Sequence, residues 1–207
     1  MLKIKSYVLG PVQTNCYIVM NPANRECIII DPAQCSKKVV ADLNAEGWSP
    51  KAILLTHAHF DHIGGIDGFV KAYQIPVYVQ TEDERMLADA ELNMSVHMGG
   101  AVTYNKAVCV HDGEHLKIAG FDIRVLHTPG HTPGGCCYYI QEEGVLFSGD
   151  TLFCRSIGRS DFPGGDGLQL VWSIHEKLMG LPEDTRVYPG HMDETTIGFE
   201  KEHNPCI

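Results

Sequence analysis

The sequence lacks any apolar run approaching the ~20 residues that a helix needs to cross a bilayer, so no membrane span is expected. It is poor in basic residues, with 16 Lys plus Arg against 26 Asp plus Glu and a formal net charge of −10. Phosphate backbones and anionic lipid surfaces are bound through clustered Lys and Arg, so neither nucleic acid nor membrane is an expected partner. The N-terminus MLKIKSYVLG has no basic head followed by an apolar stretch, and no secretory signal is visible. There is no CxxC pair among the eight cysteines. Several of them lie in strand-like segments (NCYIVM, ECIIID, GGCCYYI), where Cys behaves as a small buried hydrophobe. Cys136 and Cys137 are neighbours and should face opposite sides of one strand. These features read as a reduced, cytoplasmic chain. Nucleophile and phosphate signatures are missing too: there is no G-x-S-x-G, no P-loop and no dinucleotide fingerprint.

What is present suits a globular fold. The chain has 207 residues, 44% hydrophobic and 20% charged, enough apolar content for a sizeable core and about the size of one domain. Strand-like runs (IKSYVLG, NCYIVMN, ECIIIDP) are followed by a helix over 36–46 that stops at Gly47. KAILLTH reads as a buried strand, FDHIGGIDGFVKAY as a helix with a Gly-Gly start, VYVQ as a strand and EDERMLADAEL as a helix. Residues 94–107 read as a loop, HLKIAGFDIRVLHTPG as a hairpin around Gly120, and GGCCYYI and GVLFSGD as strands. A helix over 166–180, a strand at RVYPGH and a short helix over 194–203 complete the chain. Alternating strands and helices with a central meander favour mixed sheets covered by helices in one α/β domain over 1–207.

The chemistry is concentrated at strand ends. Thr56-His57-Ala58-His59-Phe60-Asp61-His62 packs three His and one Asp behind the apolar strand KAILL, where ligand sites of α/β proteins gather. His131 lies in the turn TPGHTPG after FDIRVLH, Asp150 closes VLFSGD, and His191 ends RVYPGH. Five His and two Asp offer N and O donors that suit zinc, iron or manganese better than calcium or magnesium. Seven donors exceed one tetrahedral site and suit two divalent transition metals about 3.5–4 Å apart. The other histidines (His97, His111, His115, His127, His175 and His203) read as structural or solvated.

On these blocks the sequence resembles the metallo-β-lactamase fold superfamily, and within it the small glyoxalase II-like (hydroxyacylglutathione hydrolase-like) proteins. The resemblance spans nearly the whole chain: Gly10-Pro11, Thr14-Asn15-Cys16-Tyr17, Asp31-Pro32, THAHFDHIGG at 56–65, TPGHTPGG at 128–135 and Ser148-Gly149-Asp150-Thr151-Leu152-Phe153. It continues through Ser156-Ile157-Gly158-Arg159, Pro189-Gly190-His191 and Thr195-Thr196-Ile197-Gly198 to Asn204-Pro205. It implies an αβ/βα sandwich of two mixed sheets with helices on the outer faces. It implies that His57, His59 and His131 hold one metal, that Asp61, His62 and His191 hold a second, and that Asp150 bridges them. Asp31 is implied to support ligands rather than to be one.

The resemblance implies a zinc hydrolase, with iron or manganese as alternatives, in which two cations lower the pKa of a shared water. Asp61 would both ligate and orient that water as hydroxide. A small-molecule thioester such as an S-2-hydroxyacylglutathione is an apt substrate, because its thiolate leaves without a strong acid. Arg159, nine residues after Asp150, stands where such proteins carry a basic residue for the glutathione carboxylate, and it is also placed to pair with Asp161. The Met-bearing stretch with Met86, Met94 and Met98 could wall an apolar pocket or belong to the core. Only 16 residues follow His191, so the C-terminal helical domain of full-length glyoxalase II proteins is not expected. The aromatic those enzymes carry after this His is replaced by Met192-Asp193-Glu194. A persulfide dioxygenase-like enzyme, with one iron on His57, His131 and Asp150, is the competing reading, and a lactone or ester hydrolase a third.

Overall fold

A computed structural model describes residues 1–207. The first sheet runs in the order β1 (Lys3–Leu9), β2 (Thr14–Asn21), β3 (Glu26–Ile30), β4 (Ser49–Leu54), β5 (Val77–Gln80) and β6 (Val108–Val110). Strands β1 to β3 pair antiparallel, and β3 to β6 parallel. Next come β7 (His115–Ile118), β8 (Phe121–His127), β9 (Cys136–Ile140) and β10 (Val145–Gly149), then a separate small hairpin of β11 (Leu152–Phe153) and β12 (Ser156–Ile157). Strands β13 (Arg186–Pro189) and β14 (Thr195–Thr196) complete a second sheet of order β14-β13-β10-β9-β8-β7, in which only β10 and β13 are parallel.

The two sheets face each other, and period-2 alternation sorts their side chains. On β2, Tyr17 and Val19 enter the core between the sheets, where Ile28, Leu54, Val125, Tyr138 and Phe147 also lie. Ile18 and Met20 point the other way, onto Val39, Leu43, Ile66 and Phe69. These four come from α1 (Lys37–Glu46) and, past the single turn α2 (Phe60–Ile63), from α3 (Ile66–Tyr73). The second sheet repeats the scheme. Leu126, Tyr139, Leu146 and Val187 pack on Leu170 and Ile174 of α5 (Gly167–Lys177) and Ile197 of α6 (Ile197–His203); the one-turn α4 is Glu84–Leu87. Strands covered on both faces explain the near-continuous apolar runs. Cys136 faces the inter-sheet core and Cys137 the helix side, as adjacent strand residues must. The fold is thus the expected αβ/βα sandwich of mixed sheets.

Local signals set the helix ends. Ser36 Oγ accepts from Lys38 N, and Gly47 closes α1 in the left-handed conformation at φ 69°. Asp166 caps α5 by accepting from Gln169 N. Two expected helices break. FDHIGGIDGFVKAY divides into α2 and α3, because Gly65 donates its N–H to Pro32 O at 2.6 Å and a side chain there would collide with the Pro32–Cys35 loop. EDERMLADAEL becomes a 3₁₀ turn, the single turn α4 and a further turn. In that last turn Asp89 Oδ1 accepts from Glu91 N and Leu92 N, an alternative to helical bonding. Strand β6 and the β11–β12 hairpin were not foreseen. The segment 94–107, expected as a loop, contains one 3₁₀ turn, and 194–203 opens with β14 before α6.

Candidate metal centre

The seven donors converge at one end of the sandwich. His57, His59, Asp61 and His62 leave the C-terminal end of β4 in the first sheet, while His131, Asp150 and His191 follow β8, β10 and β13 of the second. His131 Nε2 lies 3.2 Å from His57 Nε2 and 2.9 Å from His59 Nδ1. His191 Nε2 lies 3.2 Å from Asp61 Oδ2, and His62 Nε2 lies 3.6 Å from the same oxygen. Asp150 stands between these two groups: its Oδ2 is 3.6 Å from His131 Nε2 and 3.5 Å from His191 Nε2, and its Oδ1 is 3.5 Å from His62 Nε2. The groupings His57–His59–His131, Asp61–His62–His191 and His57–His62–Asp150 each bring three donor atoms within 4.8 Å of one another.

Three buried polar atoms here have no hydrogen-bond partner: His59 Nε2, His62 Nε2 and Asp150 Oδ1. Buried polar atoms are nearly always satisfied, and His62 Nε2 and Asp150 Oδ1 lie 3.5 Å apart, so these orphans call for a group that completes them. Imidazole and carboxylate donors suit a transition metal. The residues therefore fit a cluster able to hold two cations.

Partners behind the donors fix their orientation. His62 Nδ1 is 2.9 Å from Asp31 Oδ2, which also accepts from Thr56 Oγ1 at 2.6 Å, while Asp31 Oδ1 accepts from Thr56 N at 2.8 Å. With its proton committed to Asp31, Thr56 Oγ1 is left to accept from His57 Nδ1 at 3.1 Å. His131 Nδ1 donates to Arg159 O at 2.7 Å. In these three rings Nε2 is left to face the cluster. Asp31 is held at φ 48°, a left-handed backbone that few non-glycine residues adopt, and its hydrogen bonds keep it there.

Strand β2 braces the same end from the first sheet. Thr14 Oγ1 donates to Asp61 Oδ2 at 2.9 Å. Asn15 Nδ2 donates to Pro189 O and Met192 O, each at 3.0 Å, and Tyr17 Oη donates to Pro189 O at 2.7 Å. Three residues of the TNCY block thus hold Asp61 and the turn that presents His191. Gly190 in that turn has to be glycine, because a Cβ would collide with the Asp150 carboxylate and the His62 ring.

Asp83 is the important residue that sequence reasoning missed. Fully buried, it accepts from Ala58 N (3.0 Å), Thr132 Oγ1 (2.8 Å) and Gly134 N (2.7 Å), tying the HxHxDH segment to the turn of His131. Burial pushes its carboxyl up, opposed by those donors. Its neighbours Glu82 and Glu84 made it look like one acid of a solvated helix start; its place two residues after the apolar strand VYVQ was the available signal.

The electrostatics divide the imidazoles. Burial pushes His57 well down, helped by the neighbouring histidines, and lowers His59 to about 3, so both rings are neutral and free to coordinate. Burial also opposes the charged form of His62, but Asp61, Asp31 and Asp150 together override it and raise the ring to about 10. Burial opposes ionisation of Asp61 as well, yet His62, His191 and Thr14 hold it far below the usual carboxylate range. His191 is raised against burial by Asp61 and Asp150.

The cluster opens into a cleft of about 390 Å³ whose lining includes His59, Asp61, His131, Asp150, His191 and Arg159. Its apolar walls are Val12, Phe60, Phe153, Ile157, Phe162 and Met192. Of the methionines considered from sequence, Met86 is core and Met98 is exposed; neither these nor Met94 reaches the cleft. Arg159 lines the cleft and pairs with Asp161. The remaining histidines lie outside the cluster.

A family model described as the metallo-beta-lactamase superfamily matches residues 9–191. A probable metallo-hydrolase, YqgX, of Bacillus subtilis (strain 168) is 41% identical over 208 residues, covering 100% of this chain and 98% of that protein. The hydroxyacylglutathione hydrolase GloC of Haemophilus influenzae is 34% identical over 201 residues, covering 94% and 93%. Among solved structures, the BLEG-1 B3 metallo-beta-lactamase superposes with a TM-score of 0.92 at 46% identity, covering 98% of each chain. TTHA1623 in a di-iron-bound form gives 0.86 at 37%, covering 98% of this chain and 100% of that one.

Proposed function

The chain belongs to the metallo-beta-lactamase superfamily, and from that premise we propose that it is a two-metal hydrolase of thioesters, with S-2-hydroxyacylglutathiones as the substrate type. The observation that carries the reading is the set of buried unpartnered atoms, His59 Nε2, His62 Nε2 and Asp150 Oδ1, in the His/Asp cluster that opens into the cleft. His57, His59 and His131 would hold one cation, Asp61, His62 and His191 the other, with Asp150 shared. Zinc suits these donors, and iron suits them too, since the similar TTHA1623 was solved with two irons. When bound, such a pair supplies Lewis acidity that lowers the pKa of a water and polarises a carbonyl.

The chain's own residues do the rest. The rear bonds from Thr56, Asp31 and Arg159 O hold three imidazoles in one tautomer and orientation. Asp61, ionised and fixed by Thr14, presents a carboxylate oxygen that can accept a hydrogen bond from a water in the cleft and so orient it. The apolar walls offer packing surface for the acyl part of a substrate. No acid other than histidine stands ready to protonate a poor leaving group, which a thiolate does not require. Arg159 supplies the one cationic side chain other than histidine at the cleft wall. Support for the thioester comes from the similarity to GloC. The similarity to the BLEG-1 enzyme favours β-lactam amides as the second reading.

The test is elemental analysis of metal-replete protein beside hydrolysis of S-lactoylglutathione, with the released thiol measured and a chromogenic β-lactam run in parallel. Two metals per chain and thiol release are expected. Saturation at one iron would instead favour the dioxygenase, and β-lactam cleavage without thiol release would favour the second reading.

A further inference from the structure

Arg159 is held twice over by its neighbours. Its Nε donates to Asp161 Oδ1 and its Nη2 to Asp161 Oδ2, both at 2.7 Å, so that one edge of the guanidinium is fully occupied. The guanidinium lies 3.8 Å from the centroid of the Phe162 ring, and that ring meets His59 edge-on at 5.5 Å. Its backbone is fixed as well, through Arg159 O and His131. Arg159 and Phe162 line the cleft and Asp161 does not. Asp161 is two-thirds exposed, so its pairing with Arg159 is not forced by burial. Arg159 lowers the Asp161 carboxyl to about 2, so the pair is fully ionised at neutral pH.

We propose that Asp161 determines the charge specificity of the cleft by competing, as a built-in carboxylate, for the guanidinium of Arg159. This rests on the thioesterase reading and names a property of that same site. The physical argument concerns donors and charge. A guanidinium has five N–H groups, and two of them on one edge are already committed to Asp161. A carboxylate-bearing substrate must then either use the remaining edge beside a second negative charge or displace Asp161. A neutral thioester meets neither cost and still finds the apolar wall of Val12, Phe153, Ile157, Phe162 and Met192. Asp161 thus lowers the preference for anionic substrates and makes the cleft permissive toward uncharged ones.

The test uses matched thioesters, S-lactoyl-3-mercaptopropionate (anionic) and S-lactoyl-N-acetylcysteamine (neutral), with metal-replete wild type, Asp161→Asn, Arg159→Gln and the double variant. Equilibrium binding of S-hexyl-3-mercaptopropionate and its methyl ester, by calorimetry, gives a readout that needs no turnover. Both side chains are exposed, so the variants should fold. In Asp161→Asn the anionic-to-neutral ratio of kcat/KM, and the matching ratio of affinities, should rise about two- to fivefold, the scale of an exposed ion pair. The same substitution in the Arg159→Gln background should leave both ratios where Arg159→Gln puts them. No rise in Asp161→Asn, or an equal rise in both backgrounds, overturns the proposal, the latter because it reports only a general change of charge. If wild type cleaves neither thioester, the thioesterase reading fails, and the thioether affinities alone decide the role of Asp161.

Discussion

Two carboxylates, Asp61 and Asp83, illustrate how residue type leaves role open. Asp61 faces His62 and His191 and touches the cleft, while Asp83 touches nothing but donors from two loops. Asp61→Ala should lose about a hundredfold to a thousandfold in kcat, the scale for a group acting on the transition state, with a far-ultraviolet spectrum like wild type. Wild-type kcat at full metal loading would refute the role. In Asp83→Asn the amide can keep its one oxygen toward Ala58 N and Thr132 Oγ1, but its NH₂ then confronts Gly134 N–H. A buried donor left without an acceptor costs about 1–3 kcal/mol. Denaturant melts should show that loss, together with weaker metal retention, because the His131 turn is loosened. Unchanged stability would mean that the two loops hold without Asp83. Sequence exposed Asp61 through its motif. It hid Asp83, since an acid between two acids has no periodic or motif signature.

At the scale of elements, one ion-paired junction ties helix α1 to strand β1. Asp42 Oδ2 accepts from Lys5 Nζ (3.1 Å), Tyr7 Oη (2.8 Å) and Lys38 Nζ (2.8 Å). Hydrogen bonds from Lys38, Tyr7 and Lys5 pull its carboxyl below the ordinary value of 3.8. A depressed acid stabilises the fold above its unfolded pKa and loses that contribution as pH falls through the folded one. Asp42→Asn should therefore melt about one or two degrees lower at neutral pH, and the gap to wild type should begin to narrow below about pH 4 and close as pH falls through the lower folded value. A gap that persists in acid would assign the effect to something other than this charge. Helices α1 and α5 were legible because caps and apolar spacing agreed. The helix expected over EDERMLADAEL was not, because propensity lost to the local bonds of Asp89 and to the bonds of Asp83, which only neighbours in space reveal. Strands of two or three residues, such as β6, β11 and β12, are too short to carry a period.

For the whole molecule, the cluster draws on four strand ends from two sheets that form separate hydrogen-bonded ladders. A cation bound there would link the halves and stabilise the folded state by mass action. Stripping with a strong chelator should lower the melting temperature by about 5–10 °C, the equivalent of about 2.7 kcal/mol at a hundred times Kd. Added zinc or ferrous ion should restore it, and calcium should not. A melting temperature indifferent to chelation, in protein verified to lose metal, would separate the cluster from the stability of the sandwich.

Sequence by itself determined the layering and the donor set. Near-continuous apolar runs demand a sheet covered on both faces, and the seven donors stand at strand ends whatever their partners. It could not determine which donors meet. His57 and His59 are two residues apart, yet each lies close to His131, more than seventy residues away. Only the facing of the two sheets brings β4 beside β8, β10 and β13. The same holds for the bonds from Thr14 and Asn15 to Asp61 and the His191 turn, and for the clasp of Asp83. Sequence spacing sets contacts along a helix face or a strand; contacts across a sandwich depend on how sheets stack, and stacking is a property of the folded whole.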